Sequence, residues 1–198
     1  LCHFDIPLLS NIPNLVYLAP TNREEYLAML DWSLSYREHP VAIRVPVGVT
    51  LPATRPVPTD YSALNTYEVV ERGKDVAILA LGNFFSLGER VCRLLEAHGI
   101  RATLINPRYI SGVDCDLLDS LATDHRLVVT LEDGALNGGF GEKIARHFGA
   151  TGVKTLCYGA KKQFADRYAP KEFLAANRLV DTMIVEDIMK HSQGKLER

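Results

Sequence analysis

Residues 126–148, RLVVTLEDGALNGGFGEKIARHF, set the tightest limit on the fold. Leu127 to Leu131 is an unbroken apolar run, followed by acids, an amide and glycines, and then by Ile144, Ala145 and Phe148 on one side of a helix. A strand apolar throughout must be covered on both faces, and a strand that turns through glycines into a helix is the unit of an open parallel sheet. The unit repeats around this stretch. Residues 76–81 (VAILAL), 102–105 and 153–158 read as further strands. Ser86 is expected to cap a helix carrying Leu87, Val91, Leu94 and Leu95, stopped by Gly99. Shorter helices are expected over 114–122 and after Pro170, and the last carries Leu179, Met183, Ile184 and Ile188. With a strand over 67–72 and a turn at Gly73-Lys74-Asp75, residues 67–198 form one domain: a sheet of about five strands wrapped by helices.

Upstream the pattern is shorter. Residues 6–14 read as a proline-punctuated loop, and 15–19 (LVYLA) as a strand ended by Pro20. Thr21-Asn22-Arg23-Glu24 reads as a capping box, in which the threonine oxygen and the glutamate three positions on satisfy the free amides of a helix start. That helix runs to about Tyr36, with Leu27, Leu30 and Leu34 as its apolar stripe. His39-Pro40 breaks it, and 41–45 (VAIRV) is a second strand holding one charge, Arg44. Residues 1–47 therefore read as the last part of an incomplete α/β domain. Residues 48–66, with Pro52, Pro56 and Pro58, read as an extended, semi-rigid connector, because proline fixes φ and withholds its amide. The chain opens Leu-Cys-His-Phe-Asp and passes at once into patterned sequence, as a piece of something longer would.

Composition narrows the partners. A net charge of −2 argues against nucleic acid or an anionic membrane as partner. No apolar run nears the roughly 20 residues needed to cross a bilayer, and the cytoplasm is the expected compartment. Cys2, Cys92, Cys115 and Cys157 are scattered, which suits free thiols in a reducing compartment. The histidines show no ligand spacing, so no protein-built metal site is expected.

Five places could carry chemistry. Gly138-Gly139-Phe140-Gly141 opens a helix after a strand, where a phosphate could sit on free amides. It lacks the spacing of a dinucleotide or mononucleotide loop, and the plainer reading is a tight turn with close packing. Glu132-Asp133 ends a buried strand, where paired carboxylates could exchange protons or simply cap the next helix. Arg44 could offer its guanidinium fork to a phosphate, or form a structural ion pair. His3 and Asp5 could make an acid–base pair or lie on a surface loop. Lys161-Lys162 with Arg167 is a small basic cluster, by default solvated.

Four segments, FDIPLLSNIPNLVYLAPTNREEYLAMLDW, HPVAIRVPVG, LGNFFSLGERV and VVTLEDGALNGGFGEKIARHFG, together resemble the transketolase family of thiamine-diphosphate enzymes, in order and over essentially the whole chain. The resemblance implies that residues 1–47 close the family's pyrimidine-binding domain. It implies that 67–198 are its C-terminal domain, a mostly parallel sheet with one antiparallel edge strand. It implies decarboxylation of pyruvate and addition of the two-carbon unit to an aldehyde such as glyceraldehyde 3-phosphate. Thiamine diphosphate and Mg²⁺ would be bound mainly by residues outside this chain, with the remaining N-terminal part of the same enzyme and a second copy in a homodimer as partners. No catalytic, cofactor-binding or metal-binding residue would then lie in this chain. Only Arg44 carries over, as a substrate-side residue. Three positions depart from the family pattern: Cys2 stands where a glycine is usual, Val47 replaces a phosphate-binding arginine, and Phe164 is followed by Ala165-Asp166 in place of a His-Gly pair.

Overall fold

Two parallel arrangements meet along one seam in the computed structural model, which describes residues 4–45, 51–163 and 169–193. In the first, β1 (Val16–Leu18) and β2 (Val41–Ile43) run parallel, with Val16 opposite Val41 and Leu18 opposite Ile43. Where a loop is expected before β1, the chain instead makes a short helix, α1 (Asp5–Leu9), that buries Ile6 completely. Pro7 permits this because it falls in the first turn, where its missing amide has no partner to lose. The other edge of β1 is taken by the larger unit. Leu18 bridges Tyr109 in antiparallel fashion, the Ala19 amide donates to the Arg108 carbonyl at 2.7 Å, and the Ile110 amide donates to the Tyr17 carbonyl at 2.7 Å.

Helix α2 (Arg23–Ser35) joins β1 to β2, and here the sequence expectation fails twice. The cap is Asn22, whose side chain accepts from the Glu25 amide at 2.8 Å, and it is Glu25 that reaches back to Thr21. The box is displaced by one residue because Glu24 is used elsewhere, accepting the Ala53 amide at 2.6 Å. The leucine stripe also faces outward: Leu27, Leu30 and Leu34 are 52%, 37% and 66% exposed, while Glu25, Met29 and Trp32 are buried. Trp32 wins its place by stacking on Tyr36 and meeting Tyr61 edge-on, contacts that leucine cannot make. Replacing Asn22 by alanine removes only the cap, so Asn22→Ala should cost about 1 kcal/mol in urea unfolding.

The larger unit carries β3 (Glu68–Glu71), β4 (Asp75–Ala80), β5 (Thr103–Asn106), β6 (His125–Ala135) and β7 (Lys154–Ala160), side by side in the order β3-β5-β4-β6-β7. The three pairings among β4 to β7 are parallel, and β3 lies antiparallel at the edge. That is the expected five-stranded sheet. Alternate residues feed two cores. Ala77, Leu79, Ile105 and Val128 face α4 (Cys115–Asp124), α5 (Phe140–Phe148) and the N-terminal segment, while Ile78, Leu104, Val129 and Leu131 face α3 (Phe85–Ala97) and α7 (Asp181–Gln193). A further helix, α6 (Pro170–Ala176), opens on Pro170 as expected. Ser86 does not cap α3. A 3-10 turn, Gly82–Phe84, leads directly into the helix, and the Ser86 hydroxyl donates to the Asn83 carbonyl at 3.3 Å.

Over its described part the connector packs against both units. Tyr61 is buried, its carbonyl accepts from the Tyr109 hydroxyl at 2.7 Å, and Trp32 donates to the Ser62 hydroxyl at 3.2 Å. Cys92, Cys115 and Cys157 are free thiols, while Cys2 lies outside the described residues. Among the described residues no helix is long and apolar enough to cross a membrane.

Candidate functional site

The carboxyl end of β6 lies against the first sheet, and three of the five candidate places meet there together with Asp5 of a fourth. Glu132 is completely buried, and its carboxylate accepts from the Phe140 amide at 2.9 Å and the Gly141 amide at 2.7 Å. These are free donors at the start of α5, whose capping residue, Gly139, has no side chain to offer. Gly139 is required: a Cβ there would fall 2.4 Å from the Ala135 carbonyl oxygen and 2.7 Å from the Glu132 carboxylate. Glu142 closes the loop from the other side by accepting the Gly138 amide at 2.7 Å. The amides that could have cradled a phosphate are already held by the chain's own carboxylates, so the loop of residues 138–141 is a packing device. Burial pushes the Glu132 carboxyl up to about 7, against the opposing pull of the Gly141 and Phe140 amides.

Asp133, the next residue, turns to Arg44. The guanidinium at the end of β2 is shared between Asp133 and Asp5, with Nε 2.6 Å from Asp5 Oδ2 and Nη2 3.3 Å from Oδ1. The Arg44 side chain is only 13% exposed. The Tyr17 hydroxyl adds a third bond to Asp5 at 2.8 Å. Burial alone would raise the Asp5 carboxyl, but the Arg44 hydrogen bond and charge, with the tyrosine, outweigh it and hold it below the ordinary carboxylate value. The same desolvation, opposed by Asp133 and Asp5, leaves Arg44 raised and firmly charged. Burial and then the bond to Asp5 raise the Tyr17 phenol, so it stays a donor.

A second ionic clamp crosses the same seam and went unread in the sequence. Buried Glu25 accepts from the Thr21 hydroxyl at 2.7 Å and the Asn106 amide group at 3.0 Å, and lies 3.4 Å from Arg108 Nε. Arg108 continues to Glu68 at 2.8 Å, in a left-handed backbone conformation with φ of 61°. Lys143, on α5, donates to the Ser10 carbonyl at 3.1 Å and the Ile110 carbonyl at 3.2 Å. Arg44, Asp5 and Glu132-Asp133 stand out in the sequence, whereas Tyr17 and the second clamp leave no local signal. The partners are 39 and 89 positions from Arg44, beyond the reach of local pattern.

The remaining candidates do not join this cluster. Lys161 and Lys162 are exposed beyond β7, with the Lys161 amide donating to Asn177 at 2.9 Å. His3, Val47, Arg167 and the stretch after Phe164 lie outside the described residues. Among the described residues no group of three His, Cys, Asp or Glu side chains could hold a metal ion. With the α5 amides satisfied by Glu132, the described residues do not fit a diphosphate–metal pair.

Residues 65–184 match the family model described as the transketolase C-terminal domain. The chain is 33% identical to a 1-deoxy-D-xylulose-5-phosphate synthase of Gloeothece citriformis, over 94% of this chain and 30% of that protein. It is 33% identical to a synthase of the same name from Synechococcus, over 98% of this chain and 30% of that protein. It therefore spans less than a third of the length of these relatives. A split-gene transketolase solved as an inactive β4 tetramer superposes with a TM-score of 0.77 at 26% identity, over 96% of this chain and 61% of the other. The transketolase of Campylobacter jejuni has the same fold, with a TM-score of 0.74 at 14% identity, over 96% of this chain and 28% of the other.

Proposed function

Since the chain belongs to the transketolase C-terminal-domain family, we propose that it is the C-terminal portion of a thiamine-diphosphate-dependent transferase of the 1-deoxy-D-xylulose-5-phosphate synthase type. The observation that carries this reading is end-to-end likeness to two such synthases, at 33% identity over 94% and 98% of the chain. The reaction would join the two-carbon unit of pyruvate to glyceraldehyde 3-phosphate with loss of carbon dioxide. Thiamine diphosphate and Mg²⁺ would be held mainly by the rest of the enzyme. This chain would supply architecture, one face of a homodimer, and the seam that fixes Arg44.

Arg44 is the residue we place on the substrate side. Its fork is engaged by Asp5 and Asp133, so its part would be to set those carboxylates and contribute positive charge, not to clamp a phosphate alone. Residue 47 is valine where the resembling family has arginine, which makes a further phosphate donor from the rest of the enzyme necessary to this reading.

The test is carbon dioxide release from pyruvate, with cofactor and Mg²⁺, by a longer protein that carries this chain. Release should require glyceraldehyde 3-phosphate, and the 198-residue chain alone should release none. Turnover by the short chain would sink the division of labour. Use of a ketose phosphate donor in place of pyruvate would favour a second reading, a transketolase subunit supplied as a separate chain. The likeness to the split-gene transketolase supports that alternative.

A further inference from the structure

We propose that the amino-terminal edge of the main sheet is a binding site for a small organic molecule carrying two or more phosphate groups. A cavity of about 1410 Å³ opens there. Its rim carries Arg72, Lys74, Arg101, Arg126, Lys154 and Lys190, against one carboxylate, Asp75. The whole chain holds 22 Lys and Arg against 24 Asp and Glu, so six cations facing one acid is a local concentration of charge and not the general surface. Arg126 lies 3.6 Å from Asp75, and Lys190 pairs with Glu186 at 2.7 Å. The side chains of Arg72, Lys74, Arg101 and Lys154 have no ion pair or hydrogen bond among the described residues.

The backbone forces these cations together. The Lys74 amide donates to the Arg101 carbonyl at 3.0 Å, and a Cβ at Gly73 would fall 1.9 Å from that same oxygen. Glycine therefore allows the turn carrying Arg72 and Lys74 to press against the loop carrying Arg101. Like charges held side by side repel, and no acid among the three relieves it. Beneath the rim the floor is apolar, with Val76, Ile100 and Leu127.

The chemistry of the ligand follows from these features. Guanidinium and ammonium groups converging on one concavity match the clustered oxygens of a polyphosphate, which accept several charge-assisted bonds at once. The volume exceeds the roughly 300–1,000 Å³ usual for small-molecule sites, and the apolar floor suits an organic body below the charged end. An extended nucleic acid would need a basic surface running beyond the mouth. Instead, exposed Glu71 stands next to Arg72 and exposed Asp124 two positions before Arg126 in sequence, and Glu186 stands beside Lys190. The site is separate from the cluster at the other end of the sheet. Arg126 and Glu132 are six positions apart on β6, which at about 3.3 Å per residue is roughly 20 Å.

Inorganic pyrophosphate, titrated into the 198-residue chain by calorimetry at constant ionic strength, tests the proposal. Binding should saturate at one site, and an Arg72→Gln, Arg101→Gln, Lys154→Gln triple variant should bind at least about tenfold more weakly. All three side chains are exposed, so the variant should unfold at the wild-type temperature. Lys161→Gln, beyond the opposite edge, should bind as wild type. In the unmodified protein, pyrophosphate should protect Lys74 and Lys154 from acetylation, read by mass spectrometry, which needs no variant. Absence of saturable binding, equal affinity in the triple variant, or unprotected lysines would each overturn the proposal.

Discussion

Glu132→Ala should lower the unfolding free energy by about 3 kcal/mol, because the Phe140 and Gly141 amides lose their acceptor in a place closed to water. The change strikes the start of α5 twice. The helix loses the carboxylate that answers its partial positive charge, and the glycine that made room for that carboxylate is left facing a void. Glu132→Gln keeps one acceptor and turns a second donor towards the other amide, so it should cost less than alanine but still be destabilising. The pH dependence separates charge from packing. The folded-state value is raised from 4.5 to about 7, so the native state holds this proton more tightly than the unfolded chain. The contribution is complete below about pH 4.5 and is lost as pH rises through about 7. At about 1.4 kcal/mol for each pH unit, the ceiling on that loss is roughly 3 kcal/mol. In urea titrations from pH 4 to 8 the decline should vanish in Glu132→Gln. A variant with the wild-type slope would show that another group titrates.

Arg44→Ala should also cost about 3 kcal/mol, since removing one member of a buried ionic cluster strands the others. Asp5 and Asp133 would face each other across the seam, and the Tyr17 hydroxyl would remain on a carboxylate without its cation. The Arg44→Ala, Asp5→Ala double variant should lose at least about 1 kcal/mol less than the two single losses summed. Strict additivity would mean that the cluster is not a unit. By contrast, Arg23→Ala removes a pair whose arginine is 61% exposed and should have no measurable effect. The sign at low pH also follows. The Asp5 carboxyl lies below 3.8 in the folded state, so its contribution is present above that value and lost as pH falls through the folded one. Arg44→Ala should flatten this acid limb.

The fold was legible wherever period decided the matter. The apolar runs of β4 and β6 can be covered only on both faces, and the alternation of their residues between two cores follows from that. The strand–loop–helix unit around Glu132 was equally plain, and reading its glycines as a turn agrees with where they lie. What local pattern could not decide was which neighbour a side chain prefers. Leucines at helical spacing named an apolar face of α2, but Trp32 and Met29 took the inner one, because aromatic neighbours lay at Tyr36 and Tyr61. The cap slipped by one residue because Ala53, far along the chain, claims Glu24. Arg44 and Glu132 were visible as charges in apolar strands. That one ties two sheets together while the other closes a helix is a fact of tertiary contact, recorded at neither position.

The bridge between β1 and the turn at residues 108–110 bears on cooperativity. Main-chain bonds at 2.7 Å on either side of Leu18 make the N-terminal strand part of the larger unit's ladder. The two segments on either side of the proline-rich stretch should therefore melt as one unit. They should also gain or lose protection from hydrogen exchange together.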